Sequence, residues 1–225
     1  MIEAIIFDFD GLILETEGPI YQAWQELYEA YHCRINKNDW SDAVGGEPDY
    51  FNPYASLEAQ LGYTIDHEEA DTRRLQRESE LIATQPILPG VVDYLSEARQ
   101  LGLKIGLASS SNYAWVRGHL SRLGLLDYFD IIRTIDDVKK SKPSPEVFLA
   151  ALQGLSTTSE HAVVLEDSYN GILAAQQAGI FCVVVPTEMT RGLPISVANL
   201  RIESLADMPL KQLIEEVEKV KADYY

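Results

Sequence analysis

The chain contains little cysteine, little positive charge and no long apolar run. Its 225 residues include Cys33 and Cys182 as the only cysteines, which set no disulfide framework and fit a reducing compartment. Lys and Arg number 18 against 35 Asp and Glu, and the net charge of −17 disfavours nucleic acid and anionic membrane surfaces as partners. No apolar run approaches a membrane span in length, and no basic segment precedes the first apolar run as in a signal peptide. We therefore expect a cytoplasmic protein with no nucleic-acid or membrane partner.

Two aspartates stand where a buried strand is predicted to end. The run Ala4–Phe7 is apolar and largely β-favouring, which is typical of a strand covered on both faces, and Asp8, Asp10 and Gly11 follow it. Burying a carboxylate is costly unless something compensates for it. Because ligands of open α/β sheets bind at the carboxyl ends of the strands, this acid pair indicates a cation and a reaction at that edge.

From about Leu103 onward, short apolar runs alternate with helical patterns. Strands are predicted at residues 103–108, 129–134, 162–165 and 181–185, and helices at 112–123 and up to about 178. Ser144 is predicted to cap a further helix that has Pro145 at its first position. Strands that alternate with helices imply a parallel sheet with right-handed crossovers. The predicted fold class is therefore α/β, with a Rossmann-like parallel sheet and helices on both faces.

The segment from residue 15 to residue 85 differs, because it contains no convincing strand. Helical patterns begin at Gly18-Pro19 and recur around residues 57–61 and 68–82, and the run at residues 86–90 marks the return to the sheet. We predict an all-helical cap domain at residues 15–85, inserted into a catalytic core formed by residues 1–14 and 86–225.

Several aromatic and histidine residues are predicted to be structural or are left open. Trp115 shares a helix face with apolar neighbours and is expected to belong to the core. The aromatic residues Tyr50, Phe51 and Tyr54 either pack the cap or face a substrate. The four histidines, among them His119, show no metal-ligand spacing and are assigned no role.

Three further groups of polar residues follow predicted strands or stand in the loops beyond them. Because the carboxyl ends of parallel strands lie on one side of a sheet, these groups can converge with the two aspartates on one crevice. The groups are the run Ser109 to Asn112, Lys142, and the pair Glu166-Asp167. Each also has a structural interpretation, as a helix cap, a solvated loop lysine and a helix N-terminal acid pair respectively. Their joint occurrence in this order favours a functional site.

In this order, the groups resemble the four motifs of the haloacid dehalogenase-like hydrolase superfamily. The matching residues are Asp8-Phe9-Asp10-Gly11, then Ser109, then Lys142 with Pro143 and Pro145, and finally Glu166-Asp167-Ser168. The predicted insertion resembles the helical cap of the subfamily that holds β-phosphoglucomutase and phosphoglycolate phosphatase. The resemblance covers nearly the whole chain and implies an enzyme that transfers phosphoryl groups.

The resemblance also implies a role for each residue. Asp8 would attack phosphorus and form an aspartyl-phosphate, and Asp10 would protonate the leaving group and then activate water. Lys142 would contact Asp8 and the phosphate. The substrate-binding residues would be Ser109, Ser110 and Asn112. The implied cofactor is Mg²⁺, held by Asp8, the Asp10 carbonyl, Glu166 and Asp167.

The resemblance leaves three functions open. They are a phosphatase for a small phosphorylated, sugar phosphate-like metabolite, a β-phosphoglucomutase-type mutase, and a non-catalytic phosphometabolite sensor. Dehalogenases of the superfamily lack the second aspartate, so Asp10 favours phosphoryl transfer. Where β-phosphoglucomutases carry a histidine, this chain has Ile20, which favours water as the final acceptor. The expected assembly is a monomer or a weak homodimer.

Overall fold

A six-stranded parallel sheet forms the centre of the molecule. The computed structural model describes residues 1–37, 39–40 and 51–223. The strand order is β3-β2-β1-β4-β5-β6, and every neighbouring pair is parallel. The strands are β1 (Ala4–Phe7), β2 (Lys104–Ala108), β3 (Ile131–Arg133), β4 (Ala162–Glu166), β5 (Phe181–Val184) and β6 (Leu200–Arg201). The predicted Rossmann-like α/β class is confirmed.

Helices cover both faces of this sheet. The described helices longer than one turn are α1 (Glu17–Ala30), α2 (Pro53–Leu61), α3 (His67–Ala83), α4 (Val91–Gln100), α5 (Tyr113–Leu123), α6 (Glu146–Leu155), α7 (Tyr169–Gln177) and α8 (Leu210–Asp223). Alternate residues of β1 belong to two apolar clusters, since Ile5 and Phe7 pack with α4, α5 and α8, and Ile6 packs with α6 and α7. The central strands are therefore buried on both sides, as their unbroken apolar sequences indicate.

A third apolar cluster lies in the helical insertion between β1 and α4. It contains the buried side chains of Trp24, Tyr28 and Leu57, and Met189 joins it from the loop after β5. Leu14 forms isolated β-bridges with Asp10 and with Ile87. The two segments that join the insertion to the sheet therefore lie next to each other. The helical character predicted for this segment is present, and the boundaries at residues 15 and 85 stay a prediction.

Two local predictions differ from the structure by one or two residues. The strand β3 is shorter than the predicted 129–134 because Phe129 ends a 3-10 turn, with its amide bonded to the carbonyl of Leu126. The Phe129 ring packs edge-on against Phe7, with ring centroids 6.1 Å apart. The helix predicted to start at Pro145 starts at Glu146, because Pro145 is the cap residue whose carbonyl accepts the first helical bond, from Leu149. Within the described part of the chain, no helix combines the length and the apolar character that crossing a membrane requires.

Candidate active site

A cavity of about 300 Å³ lies at the carboxyl ends of the central strands. Because β2, β1 and β4 are neighbours in the sheet, residues far apart in sequence meet there. The predicted site residues that line it are Asp8, Asp10, Ser109, Ser110, Lys142 and Asp167. Glu166 lies directly behind the cavity, whereas the Asn112 side chain is turned to the start of α5.

The backbone holds Asp8 directly after β1 and Glu166 at the end of β4. The amide of Asp8 donates to the carbonyl of Leu165 at 3.0 Å, so the hydrogen bonding between β1 and β4 continues one residue past β1. Glu166 is the last residue of β4, and its carbonyl accepts from the amide of Val185 at 2.7 Å. The backbones of both residues are therefore held by hydrogen bonds of the central sheet.

Lys142 joins these acids through its ammonium group. Its Nζ lies 2.6 Å from Asp8 Oδ1, 2.6 Å from Glu166 Oε1 and 3.0 Å from the carbonyl of Ala108. All three donor positions of the ammonium are used, and its side chain is only 5% exposed. The other Glu166 oxygen accepts from the amides of Asp167 and Ser168, both at 3.0 Å. Lys142 and Glu166 thus form a saturated, buried network behind the nucleophile candidate.

The site is short of positive charge. Burial raises the pKa of Asp8 to about 8 against the opposing effect of Lys142, and burial together with the Glu166 charge raises the pKa of Asp167 well above its usual value. Burial alone would lower the pKa of Lys142, but the charges of Asp8 and Glu166 outweigh it and raise that pKa. Among the described residues that line the cavity, Lys142 is the one cation. A further cation would stabilise this acid cluster.

The donor set fits a hard divalent ion such as Mg²⁺. One carboxylate oxygen from each of Asp8, Glu166 and Asp167 lies within 4.8 Å of the others, and all three residues are buried. Carboxylate oxygens are the ligands that Mg²⁺ prefers. The carboxylate of Asp10 is not part of this cluster, so any contribution of Asp10 to metal binding would come from its carbonyl, as the resemblance implies. The predicted metal ligands stay a prediction.

Two glycines make room for these acids. A Cβ atom at Gly11, whose φ is +81°, would lie 2.1 Å from Asp167 Oδ2. A Cβ atom at Gly171 would lie 1.8 Å from Glu166 Oε1. Any side chain at either position would displace a carboxylate, which explains why glycine accompanies both acidic motifs.

The Asp10 carboxylate is bound by donors from the start of α5. Ser111 Oγ donates to Oδ2 at 2.6 Å, and Trp115 Nε1 donates to Oδ1 at 3.0 Å. The expected role of Trp115 as a core residue was incomplete, because its ring packs on the core while its N–H reaches the site. Two features of the sequence could have indicated this contact. A partly buried indole N–H needs an acceptor, and Trp115 lies near the start of the helix that follows β2.

The serine run and Asn112 occupy different environments. Ser109 is buried, and its Oγ accepts from the amide of Ser111 at 3.0 Å. Ser110 is exposed at the cavity. Asn112 is also exposed, and its Oδ1 accepts from the amide of Trp115 at 2.9 Å, which makes it the N-cap of α5. The structural interpretation of Asn112 therefore holds, and the substrate-binding role of the three residues stays a prediction.

The insertion supplies a second wall of the cavity, and only Ile20 of its residues was singled out from the sequence. This wall consists of Thr16, Glu17 and Ile20. Thr16 is buried, and its hydroxyl has no hydrogen-bond partner among the described residues. Burial, followed by the charges of Asp10 and Glu15, raises the pKa of Glu17 to about 7. Nothing in the local sequence distinguishes Glu17 from an ordinary acid in the first turn of a helix.

The aromatic residues of the insertion pack its interior where they are described. Tyr54 stacks on His67 with ring centroids 4.0 Å apart, contacts Trp24 edge-on at 4.9 Å and donates from its hydroxyl to Asp71 at 2.8 Å. Phe51 packs against the same apolar cluster. Of the two interpretations, packing is the one seen for both. Tyr50 and the rest of residues 45–50 lie outside the described residues.

Comparison with known proteins connects this geometry to one family. The family model described as haloacid dehalogenase-like hydrolase matches residues 2–179. The protein YhcW of Bacillus subtilis is 43% identical over 215 residues, which is 96% of this chain and 97% of that protein. The phosphorylated carbohydrates phosphatase of Thermotoga maritima is 32% identical over 181 residues, 80% of this chain and 82% of its own. The crystal structure of β-phosphoglucomutase from Clostridium difficile has a TM-score of 0.72 at 28% identity and covers 99% of this chain and 100% of its own.

Proposed function

Because the chain belongs to the haloacid dehalogenase-like hydrolase family, we propose that it is a Mg²⁺-dependent phosphatase that acts through an aspartyl-phosphate on Asp8. The observation that carries the proposal is the Asp8 carboxylate at a cavity, 2.6 Å from Lys142 and next to Asp167. The substrate is a small phosphorylated metabolite of the sugar phosphate type. The cavity of about 300 Å³ suits such a molecule, and the Thermotoga maritima relative is named for phosphorylated carbohydrates.

The reaction consists of two displacements at phosphorus. An Asp8 oxygen forms a bond to phosphorus while the bond from phosphorus to the ester oxygen breaks, and Asp10 gives its proton to the departing alkoxide. Asp10 then takes a proton from water as the water oxygen bonds to phosphorus. The bond between Asp8 and phosphorus breaks, inorganic phosphate leaves, and both acids return to their starting states.

The other residues of the chain bind and orient the reacting groups. Lys142 orients Asp8 and offsets negative charge on the phosphoryl oxygens, which are the atoms that most need stabilisation in phosphoryl transfer. Mg²⁺, bound by Asp8, Glu166, Asp167 and the Asp10 carbonyl, would supply the remaining positive charge. Ser109 and Ser110, with amides at the start of α5, would bind phosphate oxygens.

Ile20 favours hydrolysis over phosphoryl transfer to a second sugar position. This apolar side chain lines the cavity, and it can neither donate nor accept a proton. A mutase remains the second candidate because β-phosphoglucomutase is among the structural relatives. The third candidate, a sensor, would bind phosphorylated ligands without turning them over.

An assay with p-nitrophenyl phosphate and Mg²⁺ tests the proposal, followed by a panel of sugar phosphates, phosphoglycolate and nucleotides. We expect Mg²⁺-dependent release of phosphate from the wild-type protein and none from Asp8→Asn. Conversion of glucose 1-phosphate to glucose 6-phosphate without net release of phosphate would identify a mutase. Binding without turnover, or equal rates for the wild type and Asp8→Asn, would contradict the phosphatase.

A further inference from the structure

The two oxygens of the Asp10 carboxylate are held by different kinds of donor. Oδ1 accepts from the indole N–H of Trp115 at 3.0 Å, and Oδ2 accepts from the hydroxyl of Ser111 at 2.6 Å. Ser109 Oγ lies farther away, 3.5 Å from the same Oδ2. An indole N–H can only donate, whereas a hydroxyl can donate or accept. Ser111 can therefore stay bonded to Oδ2 whether or not that oxygen carries a proton, and Trp115 requires Oδ1 to be an acceptor.

The orientation of the Trp115 ring is fixed by its neighbours. His119, one turn later on α5, packs edge-on against the indole with ring centroids 4.4 Å apart. His119 in turn lies 6.2 Å from the ring of Phe9, the buried residue between the two aspartates. The backbone amide of Trp115 is bound by the N-cap Asn112. His119 thus lies between the indole and Phe9, a residue of the loop whose carboxylate the indole binds.

We propose that Trp115 is a positioning residue for Asp10, which fixes the carboxylate by its indole N–H and directs the transferred proton to Oδ2. The inference rests on the proposed phosphatase function, in which Asp10 protonates the leaving group. Trp115 itself does not line the cavity, so its effect on the reaction passes through Asp10. Ser111, which does line the cavity, binds the oxygen on the side from which the proton is delivered.

The proposal predicts that the need for Trp115 depends on the leaving group. A p-nitrophenolate leaves without a proton, whereas the more basic phenolate gains much more from a positioned acid. Trp115→Phe keeps an aromatic ring next to His119 but removes the N–H together with part of the bicyclic ring. We expect the rate of phosphoenzyme formation, measured by rapid quench with Mg²⁺, to fall about tenfold more for phenyl phosphate than for p-nitrophenyl phosphate. The KM for both esters should stay within about twofold of the wild type.

Tyr113→Phe is the matched control. Tyr113 lies on the same turn of α5, is 45% exposed, and loses one donor group in the same way. We expect this variant to leave the ratio of the two rates unchanged. An equal loss for both esters in Trp115→Phe, or no loss for either, would overturn the positioning role. Absence of turnover in the wild type would instead overturn the phosphatase proposal.

The hydrogen bond between Trp115 and Asp10 can also be tested by NMR, without measuring turnover. In a ¹H–¹⁵N spectrum, Asp10→Ala should shift the assigned indole resonance of Trp115, because its acceptor is lost. The resonances of Trp24 and Trp40, which lie in the cluster of the insertion, should not move. An unchanged Trp115 resonance would contradict the hydrogen bond on which the inference depends.

Discussion

Lys142 supplies the positive charge that two buried carboxylates of the site share. Its ammonium lies between two buried carboxylates, and the Asp167 carboxylate completes the same cluster. The ammonium also lies over the ring of Phe148, with Nζ 4.8 Å from the ring centroid. Replacing the lysine by an uncharged residue would leave two buried acids without a counter-charge, which generally costs more than the ion pair contributes. Lys142 therefore stabilises the acid cluster, in addition to the role proposed for it in the reaction.

Glu17 provides a test of the electrostatics at the level of one residue. Burial and the nearby acids raise its pKa from 4.5 to about 7, so the folded state binds more protons than the unfolded state between these values. The contribution of Glu17 to the stability of the wild type should therefore fall as the pH rises from about 4.5 through 7, and it should level off only above the folded pKa. Because a glutamine does not titrate, Glu17→Gln should be more stable than the wild type at pH 8, by about 1–2 kcal/mol for a half-buried group, and equal near pH 4.

Urea denaturation across this pH range, with chelator present, measures the difference. Glu29→Gln is the control, since Glu29 is an exposed acid on the same helix, and it should match the wild type at every pH. A Glu17→Gln variant with the same pH profile as the wild type would show that the cavity does not disfavour this charge.

At the level of elements, the loop after β5 packs against the helical insertion. Met189 from this loop is 5% exposed and packs in the aromatic cluster with Tyr21, Trp24 and Trp40. Beside it, Lys37 of the insertion pairs with Glu188 at 2.6 Å. This ion pair is largely exposed and contributes little to stability. Burial of Met189 therefore provides most of the stabilisation between the loop and the insertion.

Truncating Met189 should loosen the insertion. We expect Met189→Ala to lower the free energy of unfolding by about 2–3 kcal/mol, because a buried side chain is lost and a cavity is left. Val197→Ala, which truncates a side chain that is 42% exposed in the same part of the chain, should cost less than about 0.5 kcal/mol. Chemical denaturation of the two variants makes the comparison. Equal losses would show that Met189 does not hold the insertion.

The elements were largely predictable from the sequence because their signals are local. The apolar run at Ala4–Phe7, the Asn112 cap and the Gly124 stop of α5 each act over a few neighbouring residues. The contact between Trp115 and Asp10 spans 105 positions and depends on the packing of α5 against the loop after β1, which no periodicity reveals. For the same reason, the position of Glu17 in the cavity could not be distinguished from that of a solvated helix acid.

At the level of the whole molecule, the family and the hydrolase class expected from the sequence are confirmed by the family match and the relatives. The molecule carries a net charge of −17, and four acids, Asp8, Asp10, Glu17 and Asp167, line the cavity. A phosphorylated substrate of the proposed reaction would therefore meet unfavourable negative charge there. Positive charge must be supplied locally, and Lys142 supplies one unit of it. The cytoplasmic location and the monomeric or weakly dimeric state stay predictions.

A divalent cation should therefore stabilise the folded molecule. An ion that binds only the folded state raises stability by about 2.7 kcal/mol at a concentration a hundred times its dissociation constant. We expect Mg²⁺ to raise the melting temperature of the wild type, and to raise it much less in Asp167→Asn, which lacks one carboxylate of the cluster. Glu29→Gln should respond as the wild type does. An equal response of Asp167→Asn would place the stabilising ion elsewhere.

The most direct measurement is the mass of the peptide that contains Asp8, taken from acid-quenched protein during turnover with Mg²⁺ and a phosphoester. One phosphoryl group should be found on Asp8 in the wild type. It should accumulate further in Asp10→Asn with p-nitrophenyl phosphate, because water is no longer activated, and it should be absent in Asp8→Asn. A phosphoryl group on another residue, or Mg²⁺-dependent turnover by Asp8→Asn, would contradict the aspartyl-phosphate mechanism.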